Sequence, residues 1–312
     1  MYLPATRIKQ LLMACLASTL AWSAHAVDIV FKPVAPGVYA YVGETEGRTY
    51  ENEALNANLG LVVTPAGALL IDSGASFLGA KRIAEAVKKV TMQPIKWVIN
   101  TGGQDHRWLG NGFFKAQGAE IMAHANAEAD MRARGPEQLM ANASVLKERM
   151  DGTEVVLPTR WLKDADTTLD LGGVAVQVVY RGGGHTPGDS MVWLAQSGVV
   201  FTGDVVYVDR ILGLHPVSKT RTWVQSFEAL EALKPKVVVP GHGNVTTLAK
   251  AQKDTGALLN ALRAHMGKAV EEGADLATAV KSFVTAPFKH LKHADVWLPQ
   301  LANRTYLEME ME

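Results

Sequence analysis

The segment Asn100-Thr101-Gly102-Gly103-Gln104-Asp105-His106 constrains this chain more than any other stretch. It closes a short apolar run, Ile95 to Ile99, and sets an acid beside an imidazole where a strand stops and glycines bend the backbone. An Asp-His pair so placed can aim an oxygen and a nitrogen at one metal ion, although alone it reads more simply as solvated surface. Three further segments repeat the pattern: Gly184-His185-Thr186-Pro187-Gly188-Asp189, Thr202-Gly203-Asp204 and Pro240-Gly241-His242-Gly243. Each sets a His or Asp next to glycine and adjoins an apolar run.

The runs themselves predict alternating strands and helices. Ile29-Val30-Phe31 and Val38 to Tyr41 read as edge strands, and Leu59 to Val63 with Ala68 to Asp72 as a hairpin turning at Pro65-Ala66-Gly67. A helix is expected over Ala80 to Val90, and Trp97-Val98-Ile99 is the strand that delivers the opening segment. Gly118 to Ala123 predicts a strand, Asn126 to about Met150 a helix broken at Gly135-Pro136, and Asp164 to Thr168 a polar turn. A second series follows, with strands over Val174 to Tyr180, Met191 to Leu194 and Gly198 to Thr202, a helix from Thr222 to Leu233, and a strand from Lys236 to Pro240. Both hairpins end in an acid beside glycine, at Asp72 and at Asp204, which reads as a weak internal duplication. No Gly/Ser linker parts the halves, so residues 27–312 are expected to pack as one α/β (α+β) domain.

Arg7 and Lys9 precede an apolar stretch from Leu11 to Trp22 and then Ser23-Ala24-His25-Ala26. That order matches a cleaved export signal, with removal after Ala26, and its apolar part is too short to span a bilayer. The single cysteine, Cys15, falls inside it, so the mature chain would have no disulfide and no sulfur ligand. The chain as a whole has a formal net charge of zero, which gives no general attraction to nucleic acid or anionic lipid. No later run is long and apolar enough to span a membrane. The expectation is an exported, periplasmic protein.

Asp105, His106, His185, Asp204 and His242 all fall at predicted strand ends, which lie along one edge of a sheet and can converge. Imidazoles with carboxylates suit Zn²⁺ and would also accept Fe or Mn. A cation there lowers the pKa of bound water, giving a hydroxide that can attack an ester, thioester or amide carbonyl. Asp105 or His185 could handle protons, and Asp72 reads as orienting a ligand or turn rather than binding the ion. The loop from Tyr207 to Thr222 borders such a pocket; its Arg210, Lys219 and Arg221 read as a solvated basic loop that would also suit an anionic substrate group. Asp189 caps its turn, while His124, His215, His265, His290 and His293 read as surface or satisfied polar residues, and Trp108 and Trp223 as buried packing.

The order Asp105-His106, His185, Asp204, His242, with a hairpin ending in Asp72, resembles the metallo-β-lactamase superfamily from about Val38 to His242. Thr101 to Asn111 is similar to the quinoprotein relay system zinc metallohydrolases, a subgroup associated with periplasmic quinoprotein dehydrogenases. The resemblance implies an αββα four-layer sandwich of two similar βα halves. It also implies zinc, a small-molecule substrate, and as partner a quinoprotein dehydrogenase or its cytochrome. The superfamily's H-x-H-x-D-H motif supplies two histidines to a first metal, and here Thr101 and Gly103 stand in those places. The second site, Asp105, His106, Asp204 and His242, is retained, so one ion is expected rather than two, with His185 as a fifth ligand, proton shuttle or substrate contact. Two functions remain open: a metal-dependent hydrolase, or a non-catalytic metal-binding accessory protein for quinoprotein maturation.

Overall fold

Strand side chains alternate between two apolar layers, and this period of two builds the molecule. The computed structural model describes residues 27–312; the expected export signal, with Cys15, lies outside the described residues. Twelve strands are found among the described residues: β1 (Lys32–Ala35), β2 (Val38–Tyr41), β3 (Leu59–Thr64), β4 (Gly67–Ile71), β5 (Ile95–Asn100), β6 (Glu120–His124), β7 (Arg160–Leu162), β8 (Asp166–Asp170), β9 (Ala175–Tyr180), β10 (Ser190–Leu194), β11 (Val199–Phe201) and β12 (Val237–Val239). The α-helices are α1 (Phe77–Lys88), α2 (Asp105–Trp108), α3 (Asn111–Ala116), α4 (Glu128–Leu146), α5 (Thr220–Leu233), α6 (Leu248–Ala251), α7 (Ala257–Glu271), α8 (Leu276–Ser282) and α9 (Ala294–Glu310).

One sheet runs β1 to β7 in order, and the other runs β12-β11-β10-β9-β8. Leu69, Ile71 and Ile99 of the first meet Val176, Val178, Val192, Leu194, Val199 and Phe201 of the second in a shared inner layer. The alternate residues Leu70 and Val98 pack outward on Ile83 and Val87 of α1, while Met191, Trp193, Val200 and Val238 pack outward on α5, α7 and α9. The layers are therefore helix, sheet, sheet, helix. The duplication is present in the pairing: the hairpins β3–β4 and β10–β11 are antiparallel, and each second strand then pairs in parallel with the next, β4 with β5 and β11 with β12. Parallel strands end on one edge, so Asp72, Thr101, Thr202 and Pro240 leave the sheets on the same side.

Three local expectations are corrected. Ile29 to Phe31 is not a strand; Ile29 and Phe31 are buried in the layer under α1, and the first strand starts at Lys32. Helix α4 runs unbroken through Gly135-Pro136, because Gly135 packs where a Cβ would lie 3.0 Å from the Trp108 ring, and that tertiary fit outweighs the local break. Asp166 to Asp170 is strand β8, not a turn. It pairs with β9 at the sheet edge and buries only Leu169 of its five residues, so its sequence is mostly polar.

Ile99 fills the inner layer on the strand that delivers the opening segment. Ile99→Ala is expected to cost about 2–5 kcal/mol in urea denaturation without a change of slope, because the two sheets cannot close on the space left.

Candidate metal centre

Helix α2 is a single turn whose four residues, Asp105, His106, Arg107 and Trp108, are all buried. A guanidinium there must satisfy five N–H groups without water, and Arg107 does so. It donates from Nη1 to Asp72 Oδ2 at 2.9 Å and to the Asn58 carbonyl at 3.1 Å. Its Nη2 reaches Asp204 Oδ1 at 2.6 Å and the Gly241 carbonyl at 3.1 Å, and its Nε reaches Asp204 Oδ2 at 3.3 Å. Burial raises the Asp204 carboxyl, but Arg107 and His106 overcome it and hold the group well below the usual carboxylate range. Asp72 itself sits at a φ of 65°, a left-handed backbone that Asp tolerates better than most residues, and accepts the Thr101 N–H at 2.7 Å. Its expected role, orienting rather than ligating, matches this placement.

Above Arg107, three donor groups converge. His106, Asp204 and His242 bring one ligand atom each to within 4.8 Å of one another. His106 Nε2 lies 3.3 Å from Asp204 Oδ2, and His242 Nε2 lies 3.3 Å from Asp204 Oδ1. Each imidazole thus faces its own oxygen of the one carboxylate, and the nitrogen and oxygen donors are of the type zinc takes. His242 is aimed by its other nitrogen, since Nδ1 lies 2.9 Å from the Asn56 carbonyl, which leaves Nε2 as the lone pair. The Tyr207 ring stacks on it, centroids 4.8 Å apart. Two imidazoles and a carboxylate fit zinc.

The other two anticipated ligands stand apart from this trio. Asp105 is turned to Arg48, at 2.6 Å, and to Asn142, at 3.0 Å, and it accepts the His106 backbone N–H at 2.8 Å. Burial opposes its ionisation, yet Arg48 and His106 pull its carboxyl below the ordinary range. His185 lines the same cavity, with Nδ1 2.9 Å from the Gly213 carbonyl, so its Nε2 carries the free lone pair. Burial brings its pKa down to about 4, and that of His242 to about 3. Asp189 does cap its turn, accepting the Thr186 N–H at 2.7 Å, and burial pushes its carboxyl up to about 8.

The two vacated histidine places have been rebuilt. The Thr101 hydroxyl bonds both Asp72 oxygens, at 3.0 and 2.9 Å. At Gly103 a Cβ would lie 2.5 Å from Asp130 Oδ2, and Asp130 is itself pinned by Arg134 at 2.6 Å. A side chain at Gly103 would therefore displace the Asp130–Arg134 pair. A cavity of about 290 Å³ opens over the site, lined by Arg48, Gln104, His106, His185, Tyr207, Arg210, His215, His242 and Trp297 among others. His215, expected at the surface or as a satisfied polar residue, lines this cavity, with its ring 4.7 Å from His185. Trp108 and Trp223 are buried packing, as their setting suggested. Sequence reasoning missed the roles of Arg48, Arg107 and Trp297. Only Arg107 left a signal, a charge inside the buried turn.

An αββα sandwich with a His/Asp/His centre at the strand ends defines a metal-dependent, hydrolase-like protein. The chain belongs to the metallo-beta-lactamase superfamily, whose family model matches residues 53–242. The type 2 metallo-beta-lactamase of Bacillus sp. (strain 170) is 29% identical over 223 residues, which cover 70% of this chain and 76% of that protein. The type 2 metallo-beta-lactamase of Bacillus cereus is likewise 29% identical, over 225 residues, 70% of this chain and 76% of that protein. Among solved structures, the metallo-beta-lactamase from Pontibacter korlensis superposes with a TM-score of 0.58 at 22% identity, over 72% of this chain and 96% of its own. Members of this superfamily bind metal ions, usually zinc.

Arg107→Met leaves Asp72 and Asp204 buried without their cation, and is expected to lower stability by about 3–5 kcal/mol in denaturant titration. A second expectation concerns pH. His185 and His242 stay neutral in the fold below their ordinary 6.5, so the unfolded chain takes up protons first as pH falls. Their contribution is complete above about pH 6.5 and is lost progressively toward pH 4 and 3. In chelator-treated protein, His185→Gln should flatten the fall in Tm between pH 6.5 and 4 relative to the parent chain.

Proposed function

We propose that this protein is a hydrolase working with one zinc ion held by His106, Asp204 and His242, and that it acts on a small ester, thioester or amide. The convergence of those three donors over Arg107 carries the reading. When bound, zinc supplies the Lewis acidity that polarises a carbonyl and acidifies water. The chain's own residues do the rest. Arg107 keeps Asp204 ionised, and the Asn56 carbonyl fixes the His242 tautomer. His185, neutral at pH 7 with Nε2 free in the cavity, is the group able to take a proton from water and return it to the leaving group. Asp105, engaged by Arg48 and Asn142, accepts the His106 backbone N–H and so fixes the turn that carries His106 rather than exchanging protons.

The reading includes export to the periplasm with cleavage after Ala26, and service beside a quinoprotein dehydrogenase or its cytochrome. The residues Thr101 to Asn111 and the basic-apolar-small order of the first 26 residues support it. The rebuilt positions at Thr101 and Gly103 favour a single ion. They also support the second reading, an accessory protein that keeps the fold and a metal without turnover.

Elemental analysis is expected to find one zinc per chain, lost in His242→Ala together with turnover on a panel of nitrophenyl esters, small thioesters and a chromogenic β-lactam. Metal-bearing protein inert on the whole panel would select the accessory reading, and metal-free protein of undiminished stability would sink both. Gly103→His should gain no second ion and should lose about 1–3 kcal/mol of stability, because its Cβ meets Asp130. N-terminal sequencing of secreted protein should begin at Val27.

A further inference from the structure

A second cavity, of about 330 Å³, opens beside the metal cavity, between α4 and the loop after Asp204. The two share Arg48, Gln104 and His215 as walls, and the far side of the second is Arg134, Glu137 and Ala141 of α4. Gln104 stands where they meet. It is only 4% exposed, and its Nε2 donates to Asp105 Oδ1 at 3.1 Å, which turns Oε1 away from that acid. The Oε1 atom is buried with no hydrogen-bond partner. Flipping the amide repairs nothing, because its oxygen would then face a carboxylate with no proton to give. A buried acceptor left unbonded destabilises the site until an N–H or O–H donor reaches it.

The charges around the side cavity cancel except for one. Arg48 is paired with Asp105 at 2.6 Å, and Arg134 forks onto Asp130, Nε to Oδ1 and Nη2 to Oδ2, each at 2.6 Å. Burial brings the His215 pKa down to about 3, so its ring adds no charge at neutral pH. Arg210 lines the metal cavity and not this one. Glu137 is left. It stands exposed on α4, one turn beyond Arg134, and among the described residues no cation pairs with it.

Resting on the hydrolase reading above, we propose that the side cavity receives a primary ammonium group of the substrate, with Gln104 Oε1 and the Glu137 carboxylate as its acceptors. An ammonium brings one positive charge and three donors to a place that offers one unpaired carboxylate and one unbonded carbonyl oxygen. A carboxylate there would meet acceptors only, since both guanidinium groups are already paired. A plain carbon chain would leave the Gln104 oxygen unbonded. The substrate class is therefore an amino-bearing ester, thioester or amide, its carbonyl in the metal cavity and its amine beyond Gln104.

The test is calorimetric titration of the metal-loaded protein with ω-aminoamides from glycinamide to ε-aminocaproamide. Each is paired with the alkyl amide in which a methyl replaces the ammonium, and the monoamide of adipate serves as the anionic control. At least one aminoamide is expected to bind about tenfold more tightly than its methyl counterpart, the size of a hydrogen bond from a charged donor to a buried acceptor. Gln104→Leu should remove most of that preference. Glu137→Gln, at an exposed helix position, should lower it about threefold. Equal binding of ammonium and methyl forms at every chain length overturns the proposal. So does a preference unchanged in either variant, or tighter binding of the adipate monoamide than of any aminoamide. If Gln104→Leu does not fold, Glu137→Gln and the parent chain decide. Binding is read without turnover, so ammonium preference in a protein inert on every ester removes the hydrolase reading alone. Turnover of neutral esters without ammonium preference removes this one alone.

Discussion

One buried guanidinium ties the molecule together. Arg107 takes a carboxylate from each half, Asp72 after β4 and Asp204 after β11, and a backbone carbonyl from each, Asn58 and Gly241. Removing such a charge from water is expensive, and only complete pairing offsets it. The same five bonds therefore demand that the two sheet edges meet in one register. Gly241 is part of that demand, because a Cβ there would fall 2.5 Å from Arg107 Nη2. The candidate metal-binding trio sits directly on this joint: Asp204 faces Arg107 on one side and His106 and His242 on the other. Fold and site share one electrostatic centre.

Thr101 and Gly103 serve the scaffold beside the site. Thr101 hydrogen-bonds Asp72, and so holds the carboxylate that holds Arg107. The Gly103 carbonyl accepts from Trp108 at 3.1 Å and from Gln138 at 2.8 Å, fastening the turn α2 to α4. The mouth of the site is shaped by the loop after Asp204 and by α9, through Arg210 and Trp297.

The layered fold was legible because strands read by alternation and helices by their spacing. The hairpins ending at Asp72 and Asp204, the strand Ile95 to Asn100 and the helix before it all stand where periodicity places them, within a few residues at their ends. The misreadings came where burial is one-sided or imported from elsewhere. Strand β8 hides one leucine among polar residues, and α4 survives Gly135-Pro136 because Trp108 packs on the bare glycine.

By itself the sequence determined the alternation of strands and helices, the weak duplication, and the set of strand-end histidines and acids from which a metal centre could be built, since these depend on local pattern and order, while the αββα layering was implied by the family resemblance. Only the tertiary structure decided which of them meet. Asp105 and His106 are neighbours in the chain, yet one turns to Arg48 and the other to Asp204. Arg210 and Arg221 read alike in one basic loop, yet one is buried without a counter-ion and the other lies at the surface beside an acid. The reason is physical: what a charged side chain does is set by the dielectric and the partners around it, and those come from distant parts of the chain.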